Sequence, residues 1–265
     1  MEIEMKIGLF DSGVGGLTIL HRALQFLPDE EYFYYADTEH VPYGRKTKEE
    51  IVAYSKEATG FLVKKGCDAV VIACNTATSA AAHELRKCFQ IPIIGIEPAV
   101  KPAVAKSNHK RVLVIATPLT VKEKKLRELV DRVDEHHLVD MMALPELVRF
   151  AEQGIFDSIE VQKYLKDSFA SLACENYSVI VFGCTHFNHF AALLEEIFGA
   201  ECKLIDGSEG TVRNLERILK AQELPSGSKG CIHYYQSGRE VTDSKTIQFY
   251  QEMLEHLEQI EKSDK

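Results

Sequence analysis

The sequence predicts an α/β protein built from two similar doubly wound parallel-sheet domains, with the active site in the cleft between them. Three observations carry this. Short apolar runs alternate with amphipathic stretches along most of the 265 residues, as parallel strands joined by crossover helices do. A weak internal repeat relates two of these units: Asp68-Ala69-Val70-Val71-Ile72-Ala73-Cys74-Asn75-Thr76 resembles Ser178-Val179-Ile180-Val181-Phe182-Gly183-Cys184-Thr185-His186. Each copy ends a buried strand on a small residue and then a cysteine, ahead of a helix.

In chain order, strands are expected at 6–10, 32–36, 69–73, 92–96, 111–116, 137–141, 178–182, 202–205 and 231–235. All are short apolar runs, too short for helices. Helices are expected at 17–26, 48–65, 76–88, 121–131, 158–172, 187–198, 211–220 and 244–261, where apolar residues recur at helical spacing. The runs at 6–11 and 111–116 begin the two halves. The first domain is expected over 1–97 plus 210–265, completed by the C-terminal segment, and the second over 98–209. Pro225-Ser226-Gly227-Ser228 reads as a surface loop. Right-handed crossovers put the carboxyl ends of the strands on one edge, where ligands bind.

Composition narrows the function. The chain is 45% hydrophobic and 27% charged, with a net charge of −9. The acidic balance excludes a non-specific nucleic-acid binder and a polybasic membrane anchor. The start, Met1-Glu2-Ile3-Glu4-Met5-Lys6, is too acidic for a signal peptide. No apolar stretch approaches the roughly 20 residues of a membrane span. The seven cysteines contain no C-x-x-C pair, which favours free thiols in a reducing cytoplasm over disulfides or a zinc site.

The strongest local motif is Asp11-Ser12-Gly13-Val14-Gly15-Gly16, directly after the first strand. Its glycines let the backbone approach a ligand, and the following helix offers N–H groups to an anion. It also reads simply as a capped turn, since the dinucleotide fingerprint fails at Thr18 and no phosphate-loop lysine follows. Val41-Pro42-Tyr43-Gly44 is a turn whose backbone can contact a ligand at the sheet edge. No basic residue lies inside a motif; Arg45 and Lys101 are nearest. A carboxylate substrate would therefore be held by amide N–H groups and hydroxyls.

Cys74 and Cys184 stand at matching sites of the two halves. Cys67, Cys88, Cys174, Cys202 and Cys231 read as ordinary small core residues. If the halves face each other, so do the two sulfurs. The compartment disfavours a disulfide. Cys184, His186 and His189 lack zinc spacing, so no metal is expected. Acyl transfer by one thiol and a base leaves the second cysteine unused. Proton removal by one thiolate and proton return by a thiol on the opposite face uses both.

The same motifs, with Ala73-Cys74-Asn75-Thr76-Ala77, Gly95-Ile96-Glu97-Pro98-Ala99, Gly183-Cys184-Thr185-His186 and Ile205-Asp206-Gly207-Ser208-Glu209, resemble those of bacterial glutamate racemases, in order and over nearly the whole chain. The resemblance implies a cofactor-independent enzyme that interconverts L- and D-glutamate for peptidoglycan synthesis. It is expected in the cytoplasm, commonly as a homodimer, and with neither membrane nor nucleic acid as partner. Carried over, Cys74 and Cys184 become the two acid/base thiols. Asp11, Glu152 and His186 become auxiliary groups. Asp11, Ser12, Tyr43, Gly44, Asn75, Thr76, Thr185 and His186 become substrate contacts. Two stretches depart from the family pattern. Phe187-Asn188-His189-Phe190 stands where Tyr, Pro and two leucines are usual, and Leu144-Pro145 where many members have Cys-Pro. The neighbouring readings are aspartate or hydantoin racemisation, a small-molecule binding protein on the same scaffold, and a thiol hydrolase.

Overall fold

The computed structural model describes residues 5–221 and 230–263; the loop expected at 225–228 lies outside them. The first half runs β1 (Lys6–Asp11), α1 (Leu17–Phe26), β2 (Glu31–Ala36), α2 (Lys48–Lys64), β3 (Ala69–Ile72), α3 (Asn75–Cys88) and β4 (Ile93–Gly95). Then come α4 (Val100–Lys106), β5 (Arg111–Ala116), α5 (Pro118–Lys122), α6 (Lys124–Val133), β6 (Val139–Ala143), α7 (Pro145–Glu152), α8 (Ile159–Phe169), β7 (Tyr177–Gly183), α9 (Ala191–Phe198) and β8 (Lys203–Ile205). The described chain closes with α10 (Ser208–Ala221), β9 (Ile232–Gln236), β10 (Arg239–Glu240) and α11 (Ser244–Ser263).

Two sheets result, ordered β10-β9-β2-β1-β3-β4 and β6-β5-β7-β8. All pairings are parallel except β10 with β9. The shared core order is the same: β2-β1-β3-β4 in one sheet, β6-β5-β7-β8 in the other. Each sheet is buried on both faces, which is why its strands are continuous apolar runs. In the first, Leu9, Val71 and Tyr34 pack toward α1, α10 and α11, while Phe10, Val70 and Ile72 pack toward α2 and α3. In the second, Leu113, Ile115 and Phe182 face α7, α8 and α9, while Val112, Val114 and Val181 face α4 and α6. Among the described residues, no helix is long and apolar enough to cross a membrane.

Five local differences from the sequence expectation have physical causes. The strand expected at 137–141 starts at Val139. His137 turns with φ +56°, and the Asp134 carboxylate takes the N–H groups of Leu138 and Val139. The helix expected at 121–131 is two helices, α5 and α6, broken at the extended residue Glu123. The α-helix expected from 187 begins only at Ala191, after a 3₁₀ turn over Thr185–Phe190. Side chains of Thr18 and Asn188 occupy the Thr185 carbonyl, which stops that turn from joining the α-ladder. Two short helices, α4 and α7, were not expected. α7 carries Pro145 in its first turn, a start signal that the sequence contains.

Candidate active site

In this strand order the winding reverses between β1 and β3, and between β5 and β7, leaving a crevice outside the carboxyl ends of those strands. In the first half the crevice is bordered by the Asp11–Gly16 loop after β1 and by Cys74 after β3. In the second it is bordered by Thr117 after β5 and Cys184 after β7. The two crevices share one cavity of about 20 Å³, lined by Ser12, Pro42, Tyr43, Gly44, Cys74, Asn75, Thr76, Thr117, Val148, Cys184, Thr185 and His186. The sequence-predicted residues Asp11 and Glu152 stand just behind it and hold lining residues in place. Gly44 comes from the turn between β2 and α2 and abuts Thr117, where a Cβ on the glycine would come within 2.9 Å of the threonine Cβ.

Cys74 caps α3: its sulfur accepts the Ala77 N–H at 3.4 Å and lies 3.7 Å from Ser12 Oγ. The helix dipole favours a thiolate there. Burial and then the nearby Asp11 charge outweigh it, and push the thiol well above its usual range. Cys184 has a different partner. His186 Nδ1 lies 3.6 Å from its sulfur, and His186 Nε2 lies 2.6 Å from Glu152 Oε1. Burial alone would lower the His186 pKa. The hydrogen bonds to Cys184 and Glu152 raise it well above the ordinary value. The thiol, imidazole and carboxylate thus stand in one hydrogen-bonded line at the cavity.

The glycine-rich loop acts through what it lacks. A Cβ on Gly13 would overlap Glu152 Oε1, and one on Gly15 would overlap His186 Nδ1. The loop therefore makes room for Glu152 and His186 of the other half. It also binds them: Val14 N–H donates to Glu152 Oε1 at 2.9 Å. Asp11 accepts the Gly13 N–H at 2.9 Å and the Thr185 hydroxyl at 3.3 Å. Fully buried, the Asp11 carboxyl is pushed up to about 6.

Two polar features point to a ligand. Asn75 is 4% exposed, yet neither its side-chain nitrogen nor its oxygen has a partner. A buried amide left so costs about 1–3 kcal/mol per group until something pairs with it. Opposite it, the hydroxyls of Thr76, Thr117 and Thr120 form a triangle of 3.0–3.2 Å edges. Thr117 and Val148 line the cavity and were missed as site residues. The internal repeat contained the signal for Thr117, which directly follows β5 as Ser12 directly follows β1. Among the described residues no group of three His, Cys, Asp or Glu side chains is arranged to hold a metal, and the lining contains no lysine or arginine.

Residues 12–215 match the family model described as Asp/Glu/Hydantoin racemase. The chain belongs to this family. It is thus an isomerase, and its relatives are glutamate racemases. That of Lachnospira eligens is 47% identical, over 97% of this chain and 100% of the relative. That of Campylobacter curvus is 51% identical, over 91% and 92%. The structure also superposes on Escherichia coli glutamate racemase in complex with L-glutamate and the activator UDP-MurNAc-Ala. There the TM-score is 0.83 at 27% identity, covering 94% of this chain and 96% of that one. In this chain both motif cysteines line one cavity.

Proposed function

We propose that this racemase interconverts L- and D-glutamate by a two-base proton transfer between Cys74 and Cys184. The observation that carries it is the pair of thiols, each ending an equivalent strand of its own half and each lining the same cavity. One thiolate removes the α-proton from one face of the α-carbon, and the opposite thiol returns a proton to the other face. The reverse reaction swaps their roles. His186, held by Glu152, carries the proton at Cys184. Asp11 and Ser12 are the polar groups nearest Cys74.

The α-proton of an amino acid is very weakly acidic, so the charge that develops must be met by fixed dipoles in a dry cavity. Ser12, Tyr43, Gly44, Asn75, Thr76, Thr185 and His186 supply that surface. The unpartnered Asn75 amide recognises one carboxylate, and the Thr76 and Thr117 hydroxyls on the cavity wall suit a second. Glutamate has about ten non-hydrogen atoms, several water volumes, whereas 20 Å³ holds about one water. On this reading the halves part to admit substrate. The units that part are 1–97 with 210–265, and 98–209. The seven free thiols and the family resemblance support action in the cytoplasm, as a homodimer, supplying D-glutamate for peptidoglycan.

Chiral chromatography of each glutamate and aspartate enantiomer incubated with the pure protein tests the substrate. The reading expects racemisation of both glutamate enantiomers and little of aspartate; the reverse preference contradicts it. Cys74→Ala and Cys184→Ala should each abolish racemisation in both directions. Wild-type rates in either variant would rule out two bases.

A further inference from the structure

Asp37 lies one residue beyond β2, is 3% exposed, and belongs to none of the motifs discussed above. Its carboxylate nevertheless has a full set of partners. Tyr43 donates its hydroxyl to Oδ2 at 2.6 Å, and Ser237 donates to Oδ1 at 3.0 Å. His40 Nδ1 lies 2.8 and 3.0 Å from the two oxygens. Among the described residues no lysine or arginine forms an ion pair with it. A buried carboxylate served only by hydroxyls and an imidazole costs more than an apolar residue of the same size, so packing alone does not account for it.

What Asp37 holds is the edge of the cavity. Residues 37–47 join β2 to α2 without sheet pairing, and they carry Tyr43 and Gly44 to the site. The Tyr43 ring is 1% exposed, with ring centroids 6.2 Å from Phe10 and 6.0 Å from Tyr54. Its neighbour Gly44 abuts Thr117 of the other half. The brace continues on both sides. The Asp37 N–H donates to the Asp11 carbonyl at 2.9 Å, and Ser237 Oγ accepts the Glu39 N–H at 3.0 Å. The hairpin between β9 and β10 thus supports the turn from outside, and the end of β1 supports it from inside.

We propose that Asp37 is a positioning residue of this site: its carboxylate fixes Tyr43, and with it the Tyr43–Gly44 turn, as the wall that closes over Cys74. The inference rests on the proposed function only in treating the cavity as the substrate site. Asparagine at this position replaces one acceptor oxygen by a donor and cannot satisfy both Tyr43 and Ser237. Losing a hydrogen bond to a charged acceptor shifts a local opening equilibrium by roughly tenfold or more.

Alkylation by iodoacetamide, followed peptide by peptide by mass spectrometry, reads the wall without any turnover. In the free protein, Asp37→Asn should speed modification of Cys74 by about tenfold, with the buried thiols Cys67 and Cys202 unchanged. Tyr43→Phe keeps the ring and removes the hydroxyl, so it should give the same acceleration. The double variant should add little to either single one, because both break one interaction. An unchanged Cys74 rate in a folded Asp37→Asn protein overturns the proposal. If Cys67 and Cys202 also accelerate, Asp37→Asn has loosened the whole fold and Tyr43→Phe decides: an unchanged Cys74 rate there overturns it as well. In turnover, Asp37→Asn should raise KM about tenfold for both glutamate enantiomers and lower kcat less. A wild-type protein that fails to racemise glutamate would defeat the proposed function and leave the alkylation result standing.

Discussion

Asp11 and His189 are buried titratable side chains that pull stability in opposite pH directions. Burial raises the Asp11 carboxyl to about 6, so the folded state holds its proton more tightly than the unfolded chain does. The stability this group contributes is therefore full below about pH 4 and is lost as pH rises through 6. Relative to that limit, the loss above pH 7 is about 3 kcal/mol, from the 1.36 kcal/mol of each pKa unit. Asp11→Asn keeps an oxygen for the Gly13 N–H and removes the charge. Urea denaturation should show it more stable than wild type by about 1–3 kcal/mol at pH 8, with no gain at pH 4, and racemisation should fall. No gain at pH 8 would contradict the assignment of that cost to Asp11. His189 is 2% exposed, and both its ring nitrogens lack partners. Burial first, then the neighbouring His256, His186 and His21, hold its pKa well below 6.5. A histidine kept neutral in this way contributes stability above pH 6.5 that is lost as pH falls below it. Its ring stacks on Phe156 at 4.8 Å, and leucine suits such a site. In acid titrations followed by circular dichroism, His189→Leu should unfold at lower pH than wild type. An unchanged acid midpoint would show that His189 does not govern it.

Among the elements, the loop after β1 and the turn after β7 form one unit. Gly15 leaves space for His186, and Thr18 in α1 donates to the Thr185 carbonyl at 2.9 Å. Gly15→Ala should therefore displace His186 and lower kcat by about a hundredfold or more, as misplacement of about 1 Å does. Its thermal midpoint should move little; wild-type kcat in this variant would remove the need for that space. The same unit shows what sequence could and could not reveal. Cys74, Cys184 and the glycine run were legible because each sits where a buried apolar run stops, a pattern of period and composition. The purpose of the glycines was not legible, because Glu152 and His186 are brought against them only by the fold. Thr117 and Val148 were missed for the same reason: nothing local marks them until β5 is aligned with β1. The 3₁₀ turn after Cys184 was misread as α-helix because the side chains that hold its carbonyl come from Thr18, far away in sequence, and from Asn188.

At the scale of the molecule, two sheets of like order present like edges to each other, and the cavity lined by both cysteines lies between them. The doubly wound class was legible, since strand–helix alternation and a repeated strand–cysteine–helix unit fix it. The C-terminal β9 joins the first sheet beside β2. The small cavity was not legible, since it depends on how the halves meet: Gly44 on Thr117, Val14 on Glu152, Asp11 on Thr185. Those cross-half contacts bury both sulfurs, and on the proposed mechanism they must open to admit substrate. The central claim, proton transfer between two opposed thiols, is tested most directly in D₂O. L-glutamate and, separately, D-glutamate are incubated with the protein without added cofactor, and proton NMR follows the α-hydrogen while chiral analysis follows the enantiomer. The account predicts solvent deuterium at the α-carbon of the inverted product, starting from either enantiomer. Inversion with the α-hydrogen retained, or no exchange with either enantiomer, would contradict it.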